Sequence, residues 1–263
     1  MPTQTVSGVT ISYTESGSGP PLVFVHGFPL DARMWDEQVR ALARSHRAIA
    51  PDLRGFGKSP SLEPFTIDAL ADDVHALLRQ AGALPCALCG LSMGGYVALA
   101  LAKKCPTDLR ALVLVDTRAE GDTAEAKANR QKMIDLVRHG GAKAVAEQML
   151  PKLLSEQTRR SSAGVVERVR AMIEACPPRT IEHALLALRD RHDYTADLPS
   201  IPVPTLILVG EHDAITPPEL SRAMHAKIPR SELAIIPGAG HMSPMEQPEA
   251  VNRELERFLR AVP

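Results

Sequence analysis

The stretch CALCGLSMGGYVALALA, residues 86–102, decides how the rest of the chain is read. Its first part, up to Leu91, is a short apolar run suited to a buried strand. Its second part, from Met93, is an alanine-rich run of helical character. Ser92 stands at the junction, between Gly90 and Gly94 in a G-x-S-x-G spacing. A strand that turns at once into a helix strains the junction residue, and side chains in place of the glycines would clash. The turn holds the serine hydroxyl clear of the sheet, over a helix N-terminus that favours negative charge. A tight turn with a bystander serine has the same spacing, so partners for Ser92 must be sought elsewhere.

Working outward, apolar runs alternate with helical ones. PLVFVHG (21–27), RAIAPD (47–52), CALCGLS (86–92), RALVLVD (110–116), PTLILVG (204–210) and SELAIIPG (231–238) read as strands. They are short and mostly apolar on both faces, as buried parallel strands are. Helical patterns occupy 32–44, 66–81, 93–104, 218–226 and 244–259. This alternation predicts a parallel sheet covered by helices on both faces, and the opening TVSGVTISYTES adds an antiparallel pair. Between Asp116 and Pro204 the rhythm stops. Four amphipathic helices are expected there, at 123–139, 142–154, 163–175 and 179–191, punctuated by Gly140-Gly141, Pro151 and Pro177-Pro178. Residues 117–203 are too long for a crossover. They are expected to form a helical cap over the C-terminal sheet edge, where ligands bind in open α/β folds, with 1–116 and 204–263 as the core.

A serine hydroxyl is a weak nucleophile without a base. Of nine histidines, His46, His75, His139, His183 and His225 fall in helices or at the starts of strands and read as surface residues. His241 lies in the loop PGAGHMSP after the last strand, which can bring it over the sheet edge. An imidazole base needs an acid to fix its tautomer. Asp213, in LVGEHDAITPPEL, is the choice. Asp116 also ends a strand at that edge and is its rival. In FVHGFPLDARMW, the N–H of Phe28 with that of Met93 would form an oxyanion hole. His26 reads as a strut for this loop, Pro29 is a pocket candidate, and Trp35 is a pocket candidate with a core role as the equal alternative.

Other features read as structural. Cys86 and Cys89 make a C-x-x-C pair on a strand, where positions three apart face opposite sides, and no second pair completes a zinc site. In DLRGFGKS (52–59) no glycine stands five residues before Gly57, so it is a turn pinned by Asp52 and Arg54 and not a phosphate loop. A net charge of −1 with 23% charged residues offers no basic face for nucleic acid. No apolar run approaches the ~20 residues of a membrane helix, and the N-terminus lacks a signal-peptide pattern. A cytoplasmic protein without metal or other cofactor is expected.

Together, H-G-F-P-L-D (26–31), D-x-R-G-x-G-x-S (52–59), G-L-S-M-G-G (90–95), G-x-x-D (210–213) and G-x-G-H (238–241) resemble the α/β-hydrolase family over nearly the whole chain. The order serine, aspartate, histidine is the family's order. The resemblance implies an eight-stranded, mostly parallel sheet with an inserted cap. It also implies a Ser92–Asp213–His241 triad served by Phe28 and Met93. Within the family the chain is most similar to small capped carboxylesterases and lactonases, including 3-oxoadipate enol-lactonases, acyl-homoserine lactonases and cofactor-free perhydrolases. The expected activity is hydrolysis of a small-molecule ester or lactone. A perhydrolase side reaction, suggested by Pro29, and a slow-turnover ligand receptor are the alternatives. The cap composition suggests a mainly apolar pocket. Arg118 and Arg191 could instead hold a substrate carboxylate, although surface salt bridges are the expected fate of both.

Overall fold

The computed structural model describes residues 1–262. Eight strands form one sheet: β1 (Thr3–Val6), β2 (Val9–Ser16), β3 (Pro21–Val25), β4 (Arg47–Pro51), β5 (Cys86–Leu91), β6 (Leu109–Val115), β7 (Thr205–Gly210) and β8 (Ser231–Ile236). Their spatial order is β1-β2-β4-β3-β5-β6-β7-β8. The first two strands are antiparallel to each other, and β2 is antiparallel to β4. The remaining pairings are parallel. Ser7 and Gly8 both have positive φ, at 49° and 78°, and they close the β1–β2 hairpin in the manner of a two-residue primed turn. Strands β5 and β7 are buried at every position, which explains their unbroken apolar runs. The edge strand β8 stays partly open along most of its length.

Helices α1 (Asp36–Leu42), α2 (Ile67–Gln80) and α3 (Met93–Lys104) belong to the first half of the sheet. Thr66 caps α2, its hydroxyl accepting the Ala69 N–H. Helix α3 is buried from Met93 through Ala102. Its alanines and glycines let it lie close against the centre of the sheet.

Between β6 and β7 come α4 (Ala124–Leu153), α5 (Glu156–Ser161), α6 (Ala163–Ala175) and α7 (Pro178–Arg189). No strand interrupts them among the described residues, and α4 packs on both α6 and α7. The expected break at Gly140-Gly141 is present: Gly141 is non-helical (φ 66°, ψ −169°) and parts α4 into two helical segments. Pro151 lies inside the last turn of α4 rather than ending the helix. Helix α5 was not foreseen; Ser155 starts it, its hydroxyl accepting the Thr158 N–H. After β7 come α8 (Pro218–His225), then α9 (Ser243–Glu246) and α10 (Pro248–Arg260). The single helix expected over 244–259 is thus two, parted at Gln247. The one expected over 32–44 is a 3-10 turn, Ala32–Trp35, followed by α1.

Cys86 and Cys89 are free and buried in β5, and burial pushes the Cys86 thiol up to about 12, so neither is a poised thiolate. No described helix is long and apolar enough to cross a membrane.

Candidate active site

Because β3 to β8 are parallel, their C-terminal ends lie along one edge. Phe28 follows β3, Ser92 follows β5, Asp116 follows β6, Asp213 follows β7 and His241 follows β8. Five residues far apart in sequence therefore share one edge of the sheet.

Ser92 sits between β5 and α3 with φ 53° and ψ −111°, a region that costs a non-glycine residue energy. The neighbouring glycines are required by close approach. A Cβ on Gly90 would collide with the Gly94 carbonyl, and one on Gly94 with the Val25 carbonyl. The turn is tied down on both sides: the Ser92 N–H donates to Val115 O at 3.0 Å, and Thr117 Oγ1 donates to Ser92 O at 2.9 Å.

His241 is buried, and its Nδ1 lies 2.8 Å from Asp213 Oδ2. Asp213 takes four contacts. Its Oδ1 accepts the N–H groups of Ile215 (2.8 Å) and Thr216 (2.9 Å), and its Oδ2 accepts Thr216 Oγ1 (2.7 Å) and faces His241. Nδ1 is accordingly the protonated nitrogen, and Nε2 is the basic one. Burial alone would lower the His241 pKa. The Asp213 charge and hydrogen bond outweigh it, so the value lies above that of an ordinary histidine. Burial would raise Asp213, but His241 and the hydrogen bonds from Thr216 hold it below the usual carboxylate range. The rival acid is occupied elsewhere: Asp116 accepts Gly210 N–H (2.8 Å), Ser243 N–H (3.1 Å) and Ser243 Oγ (2.6 Å). The structure brings Asp213, not Asp116, against His241.

A cavity of about 300 Å³ opens at this edge and is lined by Ser92, His241, Phe28 and Thr216 together with helix residues from the β6–β7 segment. Met93 is the first residue of α3, so its N–H has no partner within the helix. His26 is a strut: its Nε2 accepts the Leu53 N–H at 3.0 Å and its Nδ1 donates to Gly27 O at 3.0 Å. Asp52 similarly pins its turn by accepting the N–H groups of Ala32 and Lys58, each at 2.8 Å.

Several expectations are corrected. Trp35 is not in the cavity; it is fully buried against Phe24, with ring centroids 5.1 Å apart. Pro29 is buried and does not line the cavity either. His183 is buried, not on the surface, and meets Phe65 edge-on. Arg191 is also buried, and Arg118 lies on the cavity wall. That wall is mixed: Met133, Met149, Leu185 and Leu188 are joined by Arg118, Arg130 and Lys152.

Two supporting residues were missed. Thr216 steadies Asp213, and an Asp-x-x-Thr spacing ahead of a helix signals such a turn. Glu246 accepts the N–H groups of Gly240 (2.9 Å) and Met242 (3.1 Å), on either side of His241, and that of Ser155 (2.8 Å). No sequence pattern announces that bridge. Among the described residues, the one cluster that could offer a metal three ligand atoms, His75, Cys105 and Asp108 within 4.8 Å of one another, does not line the cavity.

Known proteins carry the same architecture. The chain is 32% identical over 268 residues to the AB hydrolase superfamily protein YisY of Bacillus subtilis, covering 97% of each. It superposes on a malate-bound thermophilic esterase from Thermogutta terrifontis with a TM-score of 0.94 and 44% identity, covering 99% of this chain and 97% of that one. It superposes on the enol-lactonase of Burkholderia xenovorans LB400 with a TM-score of 0.92 and 26% identity, covering 98% and 100%. The family model for the alpha/beta hydrolase family matches residues 22–254, and the chain belongs to that family.

Proposed function

We propose that the protein hydrolyses carboxylic esters or lactones through an acyl-enzyme on Ser92. One observation carries this reading: the strained serine and a histidine already oriented by a buried carboxylate line the same cavity. His241 Nε2 takes the proton as Ser92 Oγ attacks the carbonyl carbon. The N–H groups of Phe28 and Met93 receive the developing oxyanion, and the N-terminus of α3 adds its positive dipole end. Asp213 stays ionised and stabilises the imidazolium. His241 then returns the proton to the departing alkoxide, activates a water, and the carboxylic acid is released.

Nucleophile, base and oxyanion donors are all supplied by the chain, so no step calls for a metal. The helices of residues 117–203 serve as a cap that shapes the acyl pocket. The esterase and enol-lactonase neighbours support this class of substrate. The test is turnover of p-nitrophenyl esters of rising chain length beside aliphatic and homoserine lactones, with Ser92 labelling by a fluorophosphonate. Hydrolysis of at least one class, lost on labelling, is expected. An unlabelled Ser92, or activity that survives its labelling, refutes the assignment.

A further inference from the structure

Three arginines meet one carboxylate beside the cavity. Asp122, its side chain fully buried, accepts Arg191 Nη1 (2.6 Å) and Arg118 Nη2 (2.9 Å) on Oδ1, and Arg130 Nε (3.0 Å) on Oδ2. The arginines are not equivalent. Arg191 is fully enclosed: it also donates to the carbonyls of Leu188 and Glu120, each at 2.7 Å, and lies 4.3 Å over the Tyr96 ring. It does not line the cavity. Arg118 and Arg130 do.

The charges do not balance. Glu120 is the other acid acting on Arg118, which leaves two carboxylates for three guanidinium groups. Lys152, at the same cavity, has no ion pair among the described residues and adds a further positive charge. That surplus sits at the cavity wall, where Arg118 and Arg130 are 23% and 25% exposed and Lys152 is exposed, open to an anion arriving through the cavity. Arg118 also keeps a buried Nε–H with no acceptor in the protein. It is thus a donor, half-enclosed on a wall shared with the reacting serine, still lacking part of its complement.

We infer that Arg118 and Arg130 form an anion subsite that takes a carboxylate carried by the ester or lactone itself. The inference rests on the hydrolase reading for the position of the reacting carbonyl. Arg118, Tyr96 and Ser92 line one cavity of about 300 Å³, so the anion and the reacting carbonyl must be parted by a short spacer. Leu185 and Leu188 supply apolar wall for that spacer. The substrate class is monoesters of dicarboxylic acids, or lactones bearing a side-chain carboxylate.

The probe pair is monomethyl adipate and dimethyl adipate, which differ only in whether the far carboxylate is free. Calorimetric titration of the Ser92→Ala protein reads binding without turnover. The monoester is expected to bind about tenfold or more tightly at low salt, as a charge-assisted pair allows, with the advantage shrinking as salt is added. Arg118→Met or Arg130→Gln in that background should bring the two ligands within about threefold. Arg130→Gln, which keeps a polar side chain, decides if Arg118→Met does not fold. Equal affinities at low salt, or a preference that survives Arg130→Gln, overturn the subsite. Wild-type turnover separates the two readings. Hydrolysis of both esters without a binding preference sinks the subsite alone. A binding preference without hydrolysis of either ester keeps the subsite and sinks the hydrolase assignment.

Discussion

Replacing Asp213 with asparagine changes one atom, and the structure dictates where that atom goes. Oδ1 is held by two backbone donors, Ile215 N–H at 2.8 Å and Thr216 N–H at 2.9 Å. The amide oxygen must occupy that position. The amide nitrogen then lands in the place of Oδ2, 2.8 Å from His241 Nδ1 and 2.7 Å from Thr216 Oγ1. The threonine hydroxyl adapts, because it can accept as well as donate. The imidazole cannot keep its proton on Nδ1 against an N–H donor, so it moves to the tautomer protonated at Nε2. That nitrogen is the base of the proposed mechanism, and once protonated it no longer accepts the serine proton. The expected loss in kcat is about 10⁴-fold, or about 5 kcal/mol of barrier.

The pH profile moves as well. In the parent, Asp213 holds His241 above the ordinary ~6.5, so kcat/KM rises through a limb above that value as the imidazole becomes neutral. In Asp213→Asn the lowering effect of burial is opposed only by more distant carboxylates, and the residual limb shifts to lower pH. Initial rates on p-nitrophenyl acetate from pH 5 to 9, compared with Asp116→Asn, make the assay. Retention of kcat within tenfold, a limb that stays or moves upward, or greater damage from Asp116→Asn refutes the reasoning.

Ser92→Ala should reduce ester turnover to the oxyanion-hole remainder, several orders of magnitude below the parent, with unchanged circular dichroism. EDTA should leave initial rates unchanged; inactivation reversed by zinc or manganese would count against the serine mechanism. Glu246→Ala removes the acceptor shared by Gly240, Met242 and Ser155. At about 1–3 kcal/mol for each donor left buried and unpaired, the thermal midpoint should fall measurably, with kcat reduced more than KM is raised. Glu246→Gln, which keeps an acceptor oxygen, should recover part of both.

The sheet was legible because its strands are apolar on both faces, and β5 and β7 are buried along their entire length. The elbow was legible because Gly90 and Gly94 have no room for a side chain. Asp213 was preferred to Asp116 in the sequence, but the contacts that tell them apart appear only in three dimensions. Both end strands at the same edge, and what tells them apart is the set of donors each accepts. Arg191 shows a further limit. Its burial depends on Asp122 and the Tyr96 ring, contacts that helical periodicity does not encode. Trp35 could be left only between pocket and core for a related reason, since proximity to the oxyanion loop in sequence says nothing about which side of β3 the indole takes. Helix α5 escaped because it is short and polar, EQTRRS, with Thr158 as its buried residue.

The arrangement of the site along the sheet edge also sets the order in which it comes into being. Phe28, Ser92, Asp213 and His241 follow β3, β5, β7 and β8, and they become available in that order as the chain is made. When the serine and its turn have emerged, the base is still about 150 residues away, and the acid has nothing to orient until β8 pairs with β7. A nascent or truncated chain ending before residue 231 therefore carries the elbow but no general base, and its serine is no better a nucleophile than any other alcohol. On the proposed mechanism, reactivity is withheld until the last strand docks, so the completed sheet and the competent nucleophile appear in the same event.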